Sequence, residues 1–379
     1  LDGGVSIIEG NQRVLRARLS DAQYFWARDR ETPLDDALPK LDTIIFHAKI
    51  GTQRARADRI AKLAAEIAKM LGANDDEQIQ ARWAGLLCKA DLVTGMVGEF
   101  PELQGIMGGY YAAHNPRGWD GSVVGPAIRS HYQPRGPGDA VPVGLVAASV
   151  ALADKLDTLI QFFKIGETPT GSGDPFALRR AALGVIRIIL EARLPACDLV
   201  ALTAEAPDLY PFILERLRVK LKNEGQRFDV LDATLRFAGR GNLVSLIEIS
   251  AAVGAMLATD YGARLLNAYR RAANILRIEE AKDGCAYDGP VSDALLITPE
   301  DKNLAAAISA QYGKTPTAAL ADYSSVLQGL ARLDGPVNAF FQTVSVNDAD
   351  PAIRQNRLRL LAQLRDIMHQ IADFSKIEG

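Results

Sequence analysis

The chain has 379 residues, of which 48% are hydrophobic and 23% charged, with a formal net charge of −3 at pH 7. These fractions are ordinary for globular proteins and exclude wholesale disorder. No apolar run approaches the ~20 residues needed to cross a bilayer, so we expect no membrane span. The length predicts two to three domains, because one core rarely grows beyond about 250–300 residues.

The first residues, LDGGVSIIEG, lack an initiator Met and the basic and apolar regions of a signal peptide. We therefore expect a chain cut from a longer protein. Cys88, Cys197 and Cys285 are odd in number and far apart, which argues against a disulfide framework and favours a reducing, cytoplasmic location. Four scattered histidines give no zinc-binding spacing.

Strand signals are confined to VSIIEG (5–10) and TIIFHA (43–48), and helical periodicity dominates from Gln53 onward. In residues 56–71 apolar side chains recur at three- and four-residue steps, and Gly72 follows as a stop. The sequence predicts a mainly α, multi-domain protein. Similar apolar stripes occupy residues 81–97, 143–164, 175–192, 207–221, 243–258, 262–278, 301–311, 318–332 and 352–374.

Two helices near the C-terminal end combine an apolar stripe with arginines. In 260–280 the stripe predicts that Arg264, Arg271 and Asn274 lie along one side of the helix, and Arg270 and Arg277 along another. Such faces are usually only solvated, but arginine forks also suit phosphate oxygens, and Asn can read unpaired bases. In the last helix, the stripe is avoided by Arg354, Asn356, Arg357 and Arg365.

Helix starts in this part are clearly marked by Thr298-Pro299 and Asp350-Pro351, each an N-cap residue followed by a first-turn proline. The Gly-rich stretch 166–173 matches the opening of a P-loop, but Ser172-Gly173 replaces its Lys-Ser/Thr pair. A nucleotide site there is disfavoured. We expect Asp174-Pro175 to start the next helix instead, with Arg179 and Arg180 as internal ion-pair partners of the loop.

Five long strings in the chain resemble, in order, the β subunit of the heterotetrameric bacterial glycyl-tRNA synthetase. They are VLRARLSDAQYFW (14–26), FHAKIGTQ (46–53), 89–112, 151–191 and 340–365. The resemblance implies a glycine–tRNA ligase in which an α subunit activates glycine with ATP and Mg²⁺, while β recognises and orients glycine tRNA. It also implies an α2β2 heterotetramer, no cofactor and no catalytic residue in this chain, and no activity of the chain alone.

The strings NAYRRAANILR (267–277) and VNDADPAIRQNRLRLL (346–361) resemble the helical anticodon-binding domain shared with arginyl-tRNA synthetases. This likeness makes a set of basic and amide side chains candidate tRNA contacts. The set consists of Arg264, Arg270, Arg271, Asn274, Arg277, Arg354 and Arg357.

Residues 47–157 also resemble an HD domain, a helical fold that usually binds metal through a His, a His-Asp pair and a distant Asp. We take His47 as the first His, Lys89-Ala90-Asp91 as the pair and Asp154 as the last Asp, with His131 nearby. A lysine ammonium offers no lone pair to a metal, so the domain is expected to be degenerate and metal-free. His47 is then a hydrogen-bonded histidine at a strand–helix junction.

The resemblances divide the chain into four segments: 1–42, the end of an upstream domain or linker; 43–165, the degenerate HD-like domain; 166–258, a helical connector; and 259–379, the anticodon-binding domain. Two alternatives to a tRNA-binding subunit stay open. One is a metal-dependent phosphohydrolase of the HD type, and the other is an assembly module that binds the α subunit but no RNA.

Overall fold

A computed structural model describes residues 3–225, 227–235, 241–311 and 320–378. The chain forms two compact units, Leu1–Leu217 and Arg218–Gly379. Among the described residues the only sheet is one antiparallel pair, β1 (Ile45–His47) with β2 (Gly51–Thr52). Helices make up the rest of the regular structure, which confirms the mainly α prediction.

The first unit is built from helices that follow each other through short loops. The last of them, α10, continues past the boundary between the units. The helices are α1 Val5–Asp29, α2 Gln53–Met70, α3 Asp75–Leu87, α4 Gly95–Glu99, α5 Ile106–His114, α6 Gly121–Ser130, α7 Leu145–Lys164, α8 Leu178–Glu191, α9 Leu199–Leu202 and α10 Leu209–Asn223.

Helix α7 is the centre of this unit and packs against α2, α3, α6 and α8. Fifteen of its twenty residues are buried, because its sequence is apolar on nearly every side. Asp154, Lys155 and Asp157 are charged exceptions within the buried part. The core of the first unit therefore contains charges that need partners.

Helix α2 begins and ends where the sequence predicts. Thr52 caps its start by accepting a hydrogen bond from the backbone N–H of Ala55. Gly72 follows its last turn with φ of 89°, a conformation that a residue with a side chain rarely adopts. Both ends are thus fixed by local sequence.

Helix α1 corrects one expectation, because it contains the segment VSIIEG that we predicted as a strand. A short apolar run fits either a strand or a helix, and here it continues into the helix-favouring residues of QRVLRARL. None of the residues of α1 is buried.

The second unit gathers its apolar side chains into one core, drawn from all of its helices. The predicted helix over 318–332 is found from Leu320, and its first two residues lie outside the described part. The helices are α11 Phe228–Thr234, α12 Leu243–Leu257, α13 Asp260–Asp283, α14 Pro299–Ser309, α15 Leu320–Ala331, α16 Asp334–Thr343 and α17 Pro351–His369.

The two proline-marked helix starts are confirmed. Thr298 caps α14 in a capping box with Asp301, and Asp350 accepts hydrogen bonds from the backbone N–H groups of Ala352 and Ile353 at the start of α17. The four-segment division of the chain stays a prediction. No single described helix has the length and apolarity of a membrane span, although α12 and α13, bent by 93°, pass that test as a pair.

Candidate nucleic-acid interface

Helix α13 has a defined residue at each end and one apolar side that packs against the core. Thr259 caps its start, and Gly284 ends it with φ of 66°. Leu265, Tyr269 and Leu276 are buried in the core of the second unit, as the periodicity predicts. The opposite side of the helix is therefore turned away from that core.

The side chains of Arg271, Asn274 and Arg277 are exposed on the outer side of α13. Neither arginine has an ion pair among the described residues. The Arg271 guanidinium carbon lies 4.6 Å from the centroid of the Phe341 ring, a cation–π contact. Arg277 donates a hydrogen bond of 2.9 Å to the side-chain oxygen of Asn274. Each arginine keeps most of its N–H donors free for an external acceptor.

Arg264 is also exposed, but it is already paired. Its guanidinium donates to both carboxylate oxygens of Asp334, at 2.5–3.1 Å, and 54% of its side chain is accessible. In water such a pair is weak and can exchange for another anion. We call the four exposed side chains Arg264, Arg271, Asn274 and Arg277 the α13 arginine face. At about 100° per residue Arg277 lies nearer to Arg270 than to Arg264, as the sequence predicts, so this set extends around the outer side of the helix.

Arg270 does not belong to this face. It is half-buried and donates a 2.9 Å hydrogen bond to the carbonyl of Ile377, which fastens the C-terminal segment to α13. Arg270 therefore lies outside the apolar core, as the periodicity predicts, and its role as a tRNA contact stays a prediction.

Arg354 is engaged by two carboxylates. It donates to Asp283 at 2.6 Å and to Glu279, and only 19% of its side chain is accessible. These hydrogen bonds raise the pKa of its guanidinium further. Its position indicates that it ties α17 to α13 rather than facing solvent.

The prediction that Arg357 avoids the core is wrong. Its side chain is 6% accessible and donates to both carboxylate oxygens of Asp301 at 3.1 Å, and to Asp348 at 2.7 Å. Burial lowers the pKa of Arg357, but the hydrogen bonds and charge of Asp301 outweigh burial and raise it. Arg357 follows the apolar stripe closely enough to enter the core, where the carboxylates compensate its charge.

The expected HD positions show a different chemistry. Lys89 is 1% accessible, and its ammonium lies 2.8 Å from an Asp154 carboxylate oxygen and 2.8 Å from Nε2 of His131. It also lies 3.9 Å from the centroid of the Tyr132 ring. A buried ammonium therefore sits among the side chains that would otherwise surround a metal ion.

A second cation completes this group. Arg56, at the start of α2, donates to the same Asp154 oxygen at 2.9 Å and to the hydroxyl of Thr158. Burial alone raises the pKa of Asp154, but Lys89 and Arg56 outweigh it and hold that pKa far below its ordinary value. We call Arg56, Lys89, His131 and Asp154 the Asp154 cluster.

His131 is neutral within this cluster. Burial, followed by the charge of Lys89, lowers its pKa well below 6.5. The ammonium of Lys89 donates to Nε2, which leaves Nδ1–H to donate to the carbonyl of Ile128 at 2.5 Å. The hydrogen bonds thus define the tautomer.

Two of the expected positions make other contacts. Asp91 accepts hydrogen bonds from the backbone N–H groups of Gly105 at 2.6 Å and Gly108 at 2.9 Å, and burial raises its pKa to about 6. His47, the last residue of β1, accepts from the N–H of Lys49 in the turn to β2 and contacts the Phe162 ring, so it is hydrogen-bonded as expected but lies at a strand–strand turn instead of a strand–helix junction.

A divalent metal ion does not fit the Asp154 cluster. Its donor set offers one carboxylate and one imidazole, and both are engaged by Lys89. Across the described ranges, no group of three or more His, Cys, Asp or Glu side chains is arranged to hold a metal. The ammonium of Lys89 instead supplies positive charge to Asp154 from within the chain.

Sequence reasoning missed Arg56, although a signal was present. Arg56 precedes Ile60 by four residues, and therefore continues the buried stripe of α2 backward by one turn. A charged residue in phase with a core stripe predicts a buried partner. That partner, Asp154, is 98 residues away in sequence.

The Gly-rich loop (166–173) forms a turn, and contacts within the protein account for its conformation. Arg179 donates to the backbone carbonyl of Gly171 at 2.6 Å, so it contacts the loop through a hydrogen bond and not through the expected ion pair. Helix α8 begins at Leu178 and not at Pro175, because Asp174 accepts from the N–H groups of Leu178 and Arg179 through a turn in which Ala177 has φ of 54°. Arg180 is exposed.

Comparison with known proteins adds family evidence to this geometry. The family model described as glycyl-tRNA synthetase beta subunit matches residues 2–236, and the one described as DALR anticodon binding domain matches residues 265–378. The second match contains Arg271, Asn274 and Arg277.

Curated relatives agree over the whole chain. It is 50% identical to the glycine–tRNA ligase beta subunit of Rhodospirillum centenum, covering 100% of this chain and 55% of that protein. The corresponding proteins of Phenylobacterium zucineum and Paracoccus denitrificans are 49% and 45% identical, each with 100% of this chain and 56% of the relative covered. The chain thus spans about half the length of the curated relatives it matches.

Proposed function

Because the chain belongs to the glycyl-tRNA synthetase β subunit family, we propose that it binds tRNA and orients it for attachment of glycine. The bond-making step belongs to an α subunit, which uses ATP and Mg²⁺. The proposed substrate of the complex is glycine tRNA, and the proposed assembly is an α2β2 heterotetramer in the cytoplasm.

The α13 arginine face carries the proposal. It presents two arginines without acidic partners in the described part of the chain, a third arginine in an exposed pair, and an exposed amide between them. Guanidinium groups bind phosphate oxygens in a forked geometry, and an amide can pair with the edge of an unstacked base. This is the chemistry needed to hold an anticodon loop.

The remaining candidate arginines, Arg270, Arg354 and Arg357, make their contacts inside the second unit. Arg354 links α17 to α13 through Glu279 and Asp283, and Arg270 fastens the C-terminal segment. Arg357 joins α17 to Asp301 of α14. Carboxylates inside the protein compensate the charges of Arg354 and Arg357, whereas Arg270 is held by a backbone carbonyl. Arg354 and Arg270 therefore contribute to RNA binding by positioning α13, and Arg357 by stabilising the attachment of α17 to α14.

A filter-binding titration with glycine tRNA tests the proposal. We expect the affinity to fall steeply between about 50 and 200 mM salt, because phosphate contacts release counterions. The double variant Arg271→Ala with Arg277→Ala should bind roughly tenfold more weakly, and its salt slope should be smaller by about 2, one for each lost phosphate contact.

The matched control is Lys302→Ala with Arg332→Ala, which removes the same charge from two other exposed positions of the second unit. This control should retain most of the affinity. Equal losses of tRNA affinity in both double variants would mean that general charge attraction, and not the α13 arginine face, accounts for binding. Binding of the α subunit without any measurable tRNA affinity would replace the proposal with a pure assembly role.

A further inference from the structure

A pocket of about 460 Å³ opens beside the Asp154 cluster, between α7 and the start of α8. This volume is within the usual range for small-ligand sites. Its lining joins four cations to two aromatic rings. They are Arg56, Arg135, Lys155, Arg180, Tyr132 and Phe176.

The cations are arranged in two levels. Arg135 and Arg180 are exposed and have no ion pair among the described residues, whereas Arg56 and Lys155 are mostly buried. Asp154, also in the lining, is already compensated by Lys89 and Arg56, which leaves Glu102 as the other carboxylate. The pocket therefore has an excess of positive charge, with free arginines at its mouth.

The buried cations keep hydrogen-bonding capacity. The Lys155 ammonium donates to the carbonyls of Tyr132 and Gln133, at 3.1 and 2.8 Å, which uses two of its three N–H groups. The Nε of Arg56 makes no hydrogen bond, but it lies 3.7 Å from a carboxylate oxygen of Asp157 in an ion pair. The remaining N–H of Lys155 can therefore donate to an acceptor that enters the pocket.

The aromatic rings are held rigidly. Phe176 stacks on Phe162 with ring centroids 4.1 Å apart, and Tyr132 is fixed by the Lys89 ammonium and by the adjacent His131 ring. Aromatic rings beside a basic groove are the usual means of binding unpaired bases, because stacking tolerates any base while the cations hold the phosphate.

We propose that this pocket binds one unpaired nucleotide of an RNA, with Arg135 and Arg180 contacting its phosphate and the aromatic wall contacting its base. The inference rests on the proposed tRNA-binding function, and it adds a second, separate contact in the first unit. It needs no metal ion, because the cations of the chain supply the positive charge.

The test uses the full chain and a fluorescently labelled single-stranded RNA hexamer, with anisotropy as the readout. The variant Arg135→Ala with Arg180→Ala should bind the hexamer about tenfold more weakly than the natural chain, since two phosphate contacts are lost. The matched control, Arg13→Ala with Arg16→Ala, removes two exposed arginines from α1 and should bind normally.

Competition then identifies the source of the nucleotide. Adenosine monophosphate should displace the hexamer only at far higher concentration, and a blunt RNA duplex of the same length should compete poorly. Displacement by the free nucleotide as readily as by unlabelled hexamer would overturn the proposal and indicate a free-nucleotide site. Unchanged hexamer binding by Arg135→Ala with Arg180→Ala would also overturn it.

Glycine tRNA binding, measured on the same variants, separates this inference from the proposed function. If the chain binds tRNA and loses affinity only in the α13 variant Arg271→Ala with Arg277→Ala, the tRNA function stands and the pocket inference fails. If the chain binds no tRNA, the proposed function fails. The hexamer titration alone then tests whether the pocket binds an unpaired nucleotide. The thermal midpoint of each variant should match that of the natural chain, because all six substituted arginines are exposed.

Discussion

The Asp154 cluster of the first unit and the α13 arginine face of the second unit use the same kind of side chain in opposite ways. In the cluster, Lys89 and Arg56 are buried against one carboxylate. On the face, Arg271 and Arg277 are exposed and lack acidic partners among the described residues. Positive charge on a helix therefore indicates a binding surface only where burial and carboxylates do not already account for it.

The same contrast exists within the second unit. Arg357 of α17 is buried and pairs with Asp301 and Asp348. Arg264 of α13 pairs with Asp334, but its own side chain is exposed to water. A buried ion pair stabilises the fold mainly because breaking it leaves an uncompensated charge, whereas an exposed pair can be exchanged for an RNA phosphate. Stability measurements and binding measurements should consequently separate the two groups.

The largest effect is expected for Lys89→Met, which removes the cation and leaves Asp154 buried with Arg56 alone. The free energy of unfolding should fall by about 3–5 kcal/mol, the usual cost of breaking a buried pair. Urea denaturation followed by tryptophan fluorescence measures this directly, because all three tryptophans (Trp26, Trp83 and Trp119) lie in the first unit.

Lys49→Met is the matched control for this variant. Lys49 pairs with Glu167 at 3.2 Å, but 62% of its side chain is accessible, so its removal should leave the transition nearly unchanged. A loss below about 1 kcal/mol for Lys89→Met would contradict the view that its ammonium takes the place of a metal ion in holding the Asp154 cluster together.

Arg357→Ala should come next, with a loss of about 3 kcal/mol in the free energy of unfolding of the second unit, because Asp301 is 0% accessible and would lose its bidentate partner. Far-UV circular dichroism in urea is the appropriate measurement, since the second unit contains no tryptophan. Arg357→Lys keeps the charge but not the forked geometry, and should recover only part of the loss. If Arg357→Ala keeps full stability but binds tRNA more weakly, Arg357 contacts the tRNA directly.

Local sequence was sufficient to predict most of the helices and the buried seam of α13, but not the start of α1 or of α8. Leu265, Tyr269 and Leu276 follow the period of 3.6 residues, and the caps at Thr298 and Asp350 depend only on neighbouring residues. These features need no knowledge of distant parts of the chain, which is why they could be read directly from the sequence.

The candidate site could be predicted only in part, because its distinguishing contacts are distant in sequence. Arg357 meets Asp301 across 56 residues, and Arg56 meets Asp154 across 98. The sequence grouped Lys89, His131 and Asp154, which the structure brings together, but it assigned His47 and Asp91 to the same site, and their contacts are elsewhere. Periodicity states which face a residue occupies, whereas its partner depends on tertiary packing.

A third prediction compares two buried carboxylates, Asp91 and Asp154. Burial raises the pKa of Asp91 from 3.8 to about 6, because its hydrogen bonds come from backbone N–H groups and not from an adjoining cation. The folded protein thus holds the Asp91 proton more tightly than the unfolded chain does. Between pH 7 and 4 the natural chain should gain about 2 kcal/mol relative to Asp91→Asn, as the pH falls through 6.

Urea titrations of both proteins at several pH values measure this difference. His131, whose lowered pKa costs stability as the pH falls below about 6.5, is present in both proteins, and its effect cancels in the comparison. Asp154 behaves in the opposite sense to Asp91, since its depressed pKa stabilises the fold above the ordinary aspartate pKa. A stability difference that does not change with pH would show that Asp91 is ionised in the folded protein throughout this range.

The smallest effect is expected for Arg264→Ala. Its ion pair with Asp334 is exposed, so the thermal midpoint should not change measurably. Its loss should weaken tRNA binding less than Arg271→Ala does, because Arg264 must leave Asp334 before it can contact a phosphate, whereas Arg271 has no carboxylate to leave among the described residues.

Asp334→Asn tests that competition in the reverse direction. Removing the carboxylate frees Arg264 and should raise tRNA affinity by about two- to threefold, in keeping with the modest strength of an exposed pair. The gain should disappear in the double variant Arg264→Ala with Asp334→Asn, since the released arginine is then absent. An affinity gain that persists without Arg264 would assign the effect to general loss of negative charge, and would leave Arg271 and Arg277 as the arginines of α13 that contact the RNA.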